Sequence, residues 1–171
     1  MSTDPKVSID LDAIAKAVDA AAIEGLNAVQ VLFSSTVRKV LSQPGTGRIY
    51  RIGSGKKGGR NLRARGFHRA SAPGRPPAVD TNRLRSSWII ASGTIAPGTS
   101  QRWKYGYLTA SRTPDRVVLV YGSSVVYARR LELGGGKIAA RPYLKPSLNV
   151  VGPKAEKVMA RAMSLHLGET P

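Results

Sequence analysis

The chain has 171 residues, 42% of them apolar, which is enough for one domain around a single core and too little for a second full domain. Its 27 Lys and Arg against 10 Asp and Glu give a formal charge of +17 at pH 7, a balance that attracts polyanions and drives free copies of the chain apart. Cys is absent, so disulfides and thiolate metal sites are excluded and folding must rest on packing.

Met1 to Asp12 is acidic, and it has neither the basic start nor the apolar run of a signal peptide. No apolar stretch approaches the length of a membrane span. The expectation is a protein assembled in the cytoplasm with no membrane partner. Five of the ten acids precede Gly25, and none lies between Gly25 and Val79, where Arg38, Lys39, Arg48, Arg51, Lys56, Lys57, Arg60, Arg63, Arg65, Arg69 and Arg75 accumulate. This is a basic tract without internal neutralisation.

Leu11, Ile14, Val18, Ala22, Leu26, Val29, Phe33, Val37 and Val40 recur at three- and four-residue steps, which predicts a helix over 11–41. Asp10 is a candidate N-cap, Arg38 and Lys39 suit the C-terminal end, and Pro44-Gly45 stops the helix. A helix of roughly 45 Å outruns a small sheet, so part of its apolar stripe is expected to face another subunit.

Residues 43–80 mix cations with Gly and Pro and show almost no periodicity, as a long loop or hairpin would. Gly53-Ser54-Gly55-Lys56-Lys57-Gly58 carries the glycine spacing of a dinucleotide-binding turn. However, Gly59-Arg60 follows where a helix should begin, and Asp80 comes after Pro76-Pro77 rather than at the end of a strand, so that reading is rejected. No Walker phosphate loop is present. Pro76 and Pro77 hold the chain extended and remove two amide donors, which suits a stiff arm lying across a neighbouring subunit or a rigid connector within one chain. Arg75, Pro76, Pro77, Thr81 and Leu84 are the residues assigned to that arm.

From Thr81 the pattern becomes regular. Thr81 caps a helical turn reaching Ser86, and a strand begins near Ser87 and runs from Trp88 to Ile95. Further strands are expected over Trp103–Leu108 and Arg116–Tyr121. A C-terminal helix over 153–167 has Pro153 in its first turn, Gly168 past its end, and Ala155, Val158, Ala162 and Leu165 on one face. Gly134-Gly135-Gly136 marks a hinge or a close-approach loop. Glu132, the only acid between Asp115 and Glu156, is expected to pair with Arg129, Arg130 or Arg141. Pro142 and Pro146 bracket Tyr143 and Leu144, which anchor the segment in the core. The fold class is α+β, a single domain with a long N-terminal helix and a C-terminal helix packed on a small antiparallel sheet.

Three strings between Ala70 and Leu148 resemble the gene-product-ten neck and tail-completion proteins of lambdoid-type phages, relatives of the lambda minor tail protein Z. The first runs from Ala72 to Ser87 and is similar to that family's Pro-Gly-x-Pro-Pro stretch followed by Thr-Gly-x-Leu. The second is Tyr121-Gly122-Ser123 with Tyr127-Ala128 and Leu131-Glu132-Leu133-Gly134. The third is Arg141-Pro142-Tyr143-Leu144-Lys145-Pro146-Ser147-Leu148. Asn82, Gly135 and Tyr143 depart from the usual Gly, Thr and Phe. The resemblance implies a structural virion protein of the head-tail junction, forming a hexameric ring around packaged double-stranded DNA between head-closure and tail-terminator proteins. It assigns Tyr127, Leu131, Glu132, Gly134, Arg141, Pro142, Tyr143 and Pro146 to the family motif.

Catalysis finds little to use. His68 and His166 are isolated, and Asp10 and Asp12 open the first helix. The expectation is a non-enzyme without cofactor or metal. Arg48, Arg51, Lys56, Lys57, Arg60, Arg63, Arg65 and Arg69 are the candidate contacts to DNA or to an acidic partner. The competing reading is a free nucleic-acid-binding protein acting through residues 48–75.

Overall fold

A computed structural model of the chain describes residues 11–51, 56–57, 60–61, 67–78, 82–88, 98, 100–113 and 116–168. Helix α1 spans Leu11–Leu41, as its apolar spacing requires. The segment expected to be a long loop or hairpin contains two short antiparallel ladders. β1 (Ile49–Arg51) pairs with β4 (Phe67–Arg69), and β2 (Lys56–Lys57) pairs with β3 (Arg60–Asn61). A short helix α2 (Arg83–Ser86) follows the proline segment. Next comes a three-stranded antiparallel sheet of β5 (Ser100–Trp103), β6 (Gly106–Thr113) and β7 (Arg116–Ser123), in that order. Helices α3 (Ala128–Leu133) and α4 (Leu144–His166) complete the fold. The class is α+β, as the sequence indicates.

The layers follow from what α1 buries. On one side it packs along α4, and on another it meets β7, so α1 lies between α4 and the sheet. Val37 and Leu41 enter a core with Leu84, Trp88, Ala128 and Tyr143, with Phe33, Val40 and Tyr121 packed around it. The Trp88 ring sits edge-on to Phe33, Tyr121 and Tyr143, at centroid distances of 5.8, 5.0 and 6.2 Å, the geometry favoured by ring quadrupoles. Tyr121 also reaches the sheet's own cluster around Leu108 and Ala110, and so joins the two.

Helices α1 and α4 run antiparallel. The end of α1 and the start of α4 share the Trp88 core, while farther along Gly25 lies against Met159 and Met163. A Cβ on Gly25 would stand 2.8 Å from Met159 Cγ, so the missing side chain sets how closely the helices approach. Helix α4 stops little beyond this contact, whereas α1 still has 14 residues to its start. The first turns of α1 therefore run past the end of α4, and residues 12–18 are exposed.

Three expectations about elements are corrected. Ser87 and Trp88 do not open a strand but form a turn, closed by their amides on the carbonyls of Arg83 and Arg85, and both residues are buried. Residues 89–95 of the expected strand lie outside the described residues. The run Trp103–Leu108 is not one strand: Lys104-Tyr105 is a two-residue turn, and Trp103 pairs with Gly106. Helix α4 begins at Leu144, not at Pro153, which lies inside the helix and deprives the preceding turn of one amide donor. The residues from Leu144 to Gly152 are thus the first turns of a helix that packs on α1.

Candidate interaction surfaces

Past the end of α1, the described strands of the acid-free tract form a narrow ribbon. The Gly47 amide donates to the Ala70 carbonyl at 2.7 Å and the Ala70 amide to the Arg48 carbonyl at 2.9 Å, which fastens its root. Above the root, Ile49 faces Arg69, Tyr50 faces His68 and Arg51 faces Phe67 across the ladder. The Arg48 guanidinium lies 5.5 Å from the centre of the Tyr50 ring, a distance at which the ring quadrupole attracts a cation. Ile49 and Tyr50 are half-exposed and Phe67 is 76% exposed, so both ribbon faces are open. Of the candidate contacts, Arg48 and Arg69 are exposed at the base. Arg51, Lys56, Lys57 and Arg60 lie on the strands, and Arg63 and Arg65 lie outside the described residues.

The residues assigned to an arm do not behave as one unit. Pro77 and Leu84 are buried in their own chain, Pro76 is partly buried, and Arg75 is exposed; Thr81 lies outside the described residues. The Gly74 amide donates to the Ala140 carbonyl at 2.8 Å. Val40, Gln43, Arg75, Pro76, Pro142 and Pro146 line a shallow cavity of about 350 Å³ between this segment and the two long helices. Leu84 is buried in the Trp88 core and Pro77 is buried within its own chain, which leaves neither of them anything to offer a neighbour.

The motif residues around Glu132 converge on one knot. The Glu132 carboxylate accepts from the amides of Tyr143, Leu144 and Lys145 at 2.7, 2.8 and 3.0 Å. These are unpaired amides at the start of α4, and the next residue, Pro146, has none to satisfy. A negative group there also meets the positive end of the helix dipole. The expected ion pair with Arg129, Arg130 or Arg141 is corrected: among the described residues Glu132 is held by amides. The Arg141 amide donates to the Leu131 carbonyl at 2.7 Å, closing the loop between the two helices. Within that loop Gly134 has φ 75, and a Cβ there would stand 2.9 Å from the Ala140 amide nitrogen. Leu131 packs on the core, Tyr127 precedes α3 at its N-cap and is largely exposed, and Pro142 and Pro146 are partly buried.

Tyr143 is 1% exposed. Burial, then the nearby Glu132 carboxylate, then Tyr127 push its phenol well above the usual tyrosine range. Burial also raises the Tyr121 phenol, opposed by its hydrogen bond to Ser34 and by the Arg38 charge. Sequence reading singled out Glu132 as an isolated acid but not as a cap, since its partners are main-chain groups with no side-chain signature.

Among the described residues no group of three His, Asp or Glu is placed to hold a metal, and no helix is long and apolar enough to cross a membrane. No family model, curated protein or solved structure matches the chain.

Proposed function

We propose that the protein is a structural component of a long-tailed phage virion, a ring-forming subunit of the neck that surrounds the DNA path between head-closure and tail-terminator proteins. The observation that carries this reading is the cationic ribbon. A two-stranded ribbon is marginal alone in water, and this one joins the body at its root while leaving Ile49, Tyr50 and Phe67 uncovered. Such an element gains its stability from whatever it is built against, and its charge selects packaged DNA or an acidic protein surface. The three motif strings supply the phage resemblance, and the second and third of them meet in the knot joining α3 to α4. The ring is hexameric and has no catalytic role in this reading.

The test is genetic and compositional. Deleting the gene should leave uninfectious particles with unjoined heads and tails, and the protein should be present in purified virions. Its absence from virions would exclude the proposal. The second reading, a free DNA-binding protein, is favoured by the same ribbon, because a two-stranded β element fits the major groove of duplex DNA. It requires salt-sensitive binding by the isolated chain and no incorporation into particles.

A further inference from the structure

A second cationic surface lies beside α3. That helix and the glycine loop that follows it enclose a groove of about 680 Å³, lined by Arg129, Arg130, Leu133, Lys137 and Ile138 together with the glycines, and no acidic side chain enters the lining. The adjacent acid, Glu132, is engaged by the amides that start α4, and none of the three cations has an ion-pair partner among the described residues. Arg129 and Arg130 precede Leu133 by one helical turn, so the three side chains emerge at neighbouring positions of α3.

The loop side of the groove is a built shape. The Gly135 amide donates to the Ile138 carbonyl at 3.0 Å and the Ile138 amide to the Gly135 carbonyl at 3.1 Å, which closes a tight turn with Gly136 and Lys137 at its tip. Gly135 and Gly136 have φ of 143 and 59, yet a Cβ on either would meet nothing within 4 Å. Glycine is required there by the path of the backbone and not by crowding, so the space beside the turn is open. The turn sets Lys137 and Ile138 in the same lining as the α3 cations. Leu133 and Ile138 are 66% and 40% exposed, and the groove therefore joins uncovered apolar surface to three cations.

That combination selects an occupant. Three cations without a partner call for an anion. The phosphates of a nucleic-acid backbone would satisfy them but offer Leu133 and Ile138 no apolar surface, whereas a peptide can place apolar side chains between carboxylates. Guanidinium groups bind a carboxylate through two parallel hydrogen bonds, and arginine clusters are a recurring receptor for acidic motifs. We infer that this groove receives an acidic segment of a partner protein, with its carboxylates at Arg129, Arg130 and Lys137 and an apolar side chain on Leu133 and Ile138. The contact does not rest on the neck reading, since it serves any partner that carries such a segment.

The test titrates the full chain at low salt with two labelled peptides, one alternating Glu with Leu and the other Glu with Ser, read by fluorescence anisotropy. The Glu-Leu peptide should bind at least about tenfold tighter, a difference that one buried Leu side chain supports. Leu133→Ser should erase that preference and bring the Glu-Leu peptide to the level of the Glu-Ser one. Arg130→Glu with Lys137→Glu should weaken the Glu-Leu peptide at least about tenfold. Lys154→Glu with Lys157→Glu, an equal change of charge on α4, should weaken it far less. All five positions are exposed, and circular dichroism checks that each variant folds. Equal losses from the two charge pairs would reduce the binding to net charge and overturn the inference, as would a preference that is absent or that survives Leu133→Ser. Tighter binding of a labelled DNA duplex, abolished by the Arg130 and Lys137 changes, would give the groove to nucleic acid instead. Self-association of the wild-type chain, abolished by Leu133→Ser in sedimentation, would give it to a second copy, and either result overturns the assignment. Absence of the protein from virions would remove the neck reading and leave this contact standing.

Discussion

Replacing Glu132 with Ala leaves the amides of Tyr143, Leu144 and Lys145 without their acceptor, and the loss falls on the helix that seals the core. Hydrogen bonds to a charged group are each worth about 1.5–3 kcal/mol and the helix end can partly rehydrate, so we expect a destabilisation of about 2–3 kcal/mol in urea unfolding. Glu132→Gln should cost less, since one oxygen still accepts. Arg129→Ala, by contrast, should be close to neutral in the isolated chain, because the carboxylate is engaged by main-chain amides. Gly134→Ala combines a φ of 75 with a close main-chain neighbour and should cost about 1–2 kcal/mol. Tyr143 governs the alkaline limit. Its folded-state phenol titrates above the unfolded value of 10.0, so the folded state keeps its proton where the unfolded state loses it. The resulting stability is present below that value and is lost as pH rises through and beyond it. Urea midpoints followed from about pH 8 to about pH 11 should fall, and Tyr143→Phe should flatten the decline.

At the scale of elements, the molecule depends on how closely α1 and α4 lie. Gly25→Leu would drive a branched side chain into Met159 and Met163, and overpacking of this kind costs about 1–3 kcal/mol; Gly25→Ala should be milder because the Met side chains can shift. Pro153→Ala should stabilise α4, since a mid-helix proline costs about 3 kcal/mol, read as a higher thermal midpoint. The legibility of each element in the sequence tracks where its determinants lie. Helix α1 carries its own nine-residue stripe and its own stop at Pro44, so both ends could be read. The start of α4 is set by a carboxylate 12 residues upstream of Leu144, which no local pattern announces, and Pro153 offered a conventional but misleading start signal. The Lys104-Tyr105 turn has no Gly, Asn, Asp or Pro at its two central positions, and Gly106 at its close reads as part of a strand, so the two strands flanking the turn read as one. The ribbon could be read only as a loop or hairpin of a basic, glycine-rich tract, without its register, because ladders of two or three residues leave no periodicity.

The whole molecule is electrically lopsided, and that property belongs to no single residue. Its acidic end and basic body predict strong salt dependence for any association it makes. For DNA, each neutralised phosphate contributes a slope of about −0.9 in log affinity against log salt. Replacing Lys56, Lys57, Arg60 and Arg63 with Ser should therefore lower the slope by about 3 to 4 in a filter-binding or anisotropy titration, and an unchanged slope would remove the ribbon from the DNA interface. The exposed apolar side chains of the ribbon, by comparison, were visible in the sequence only as two aromatics in a basic tract. That they stand uncovered is a property of the fold.

The antiparallel pairing of α1 with α4 also fixes how the subunit bears mechanical load. The free ends of both helices lie at the same end of the pair, so tension applied between them would peel the helices apart turn by turn at low force. Tension between the start of α1 and the glycine loop instead pulls the helix lengthwise across everything packed against it, so that all those contacts must yield together.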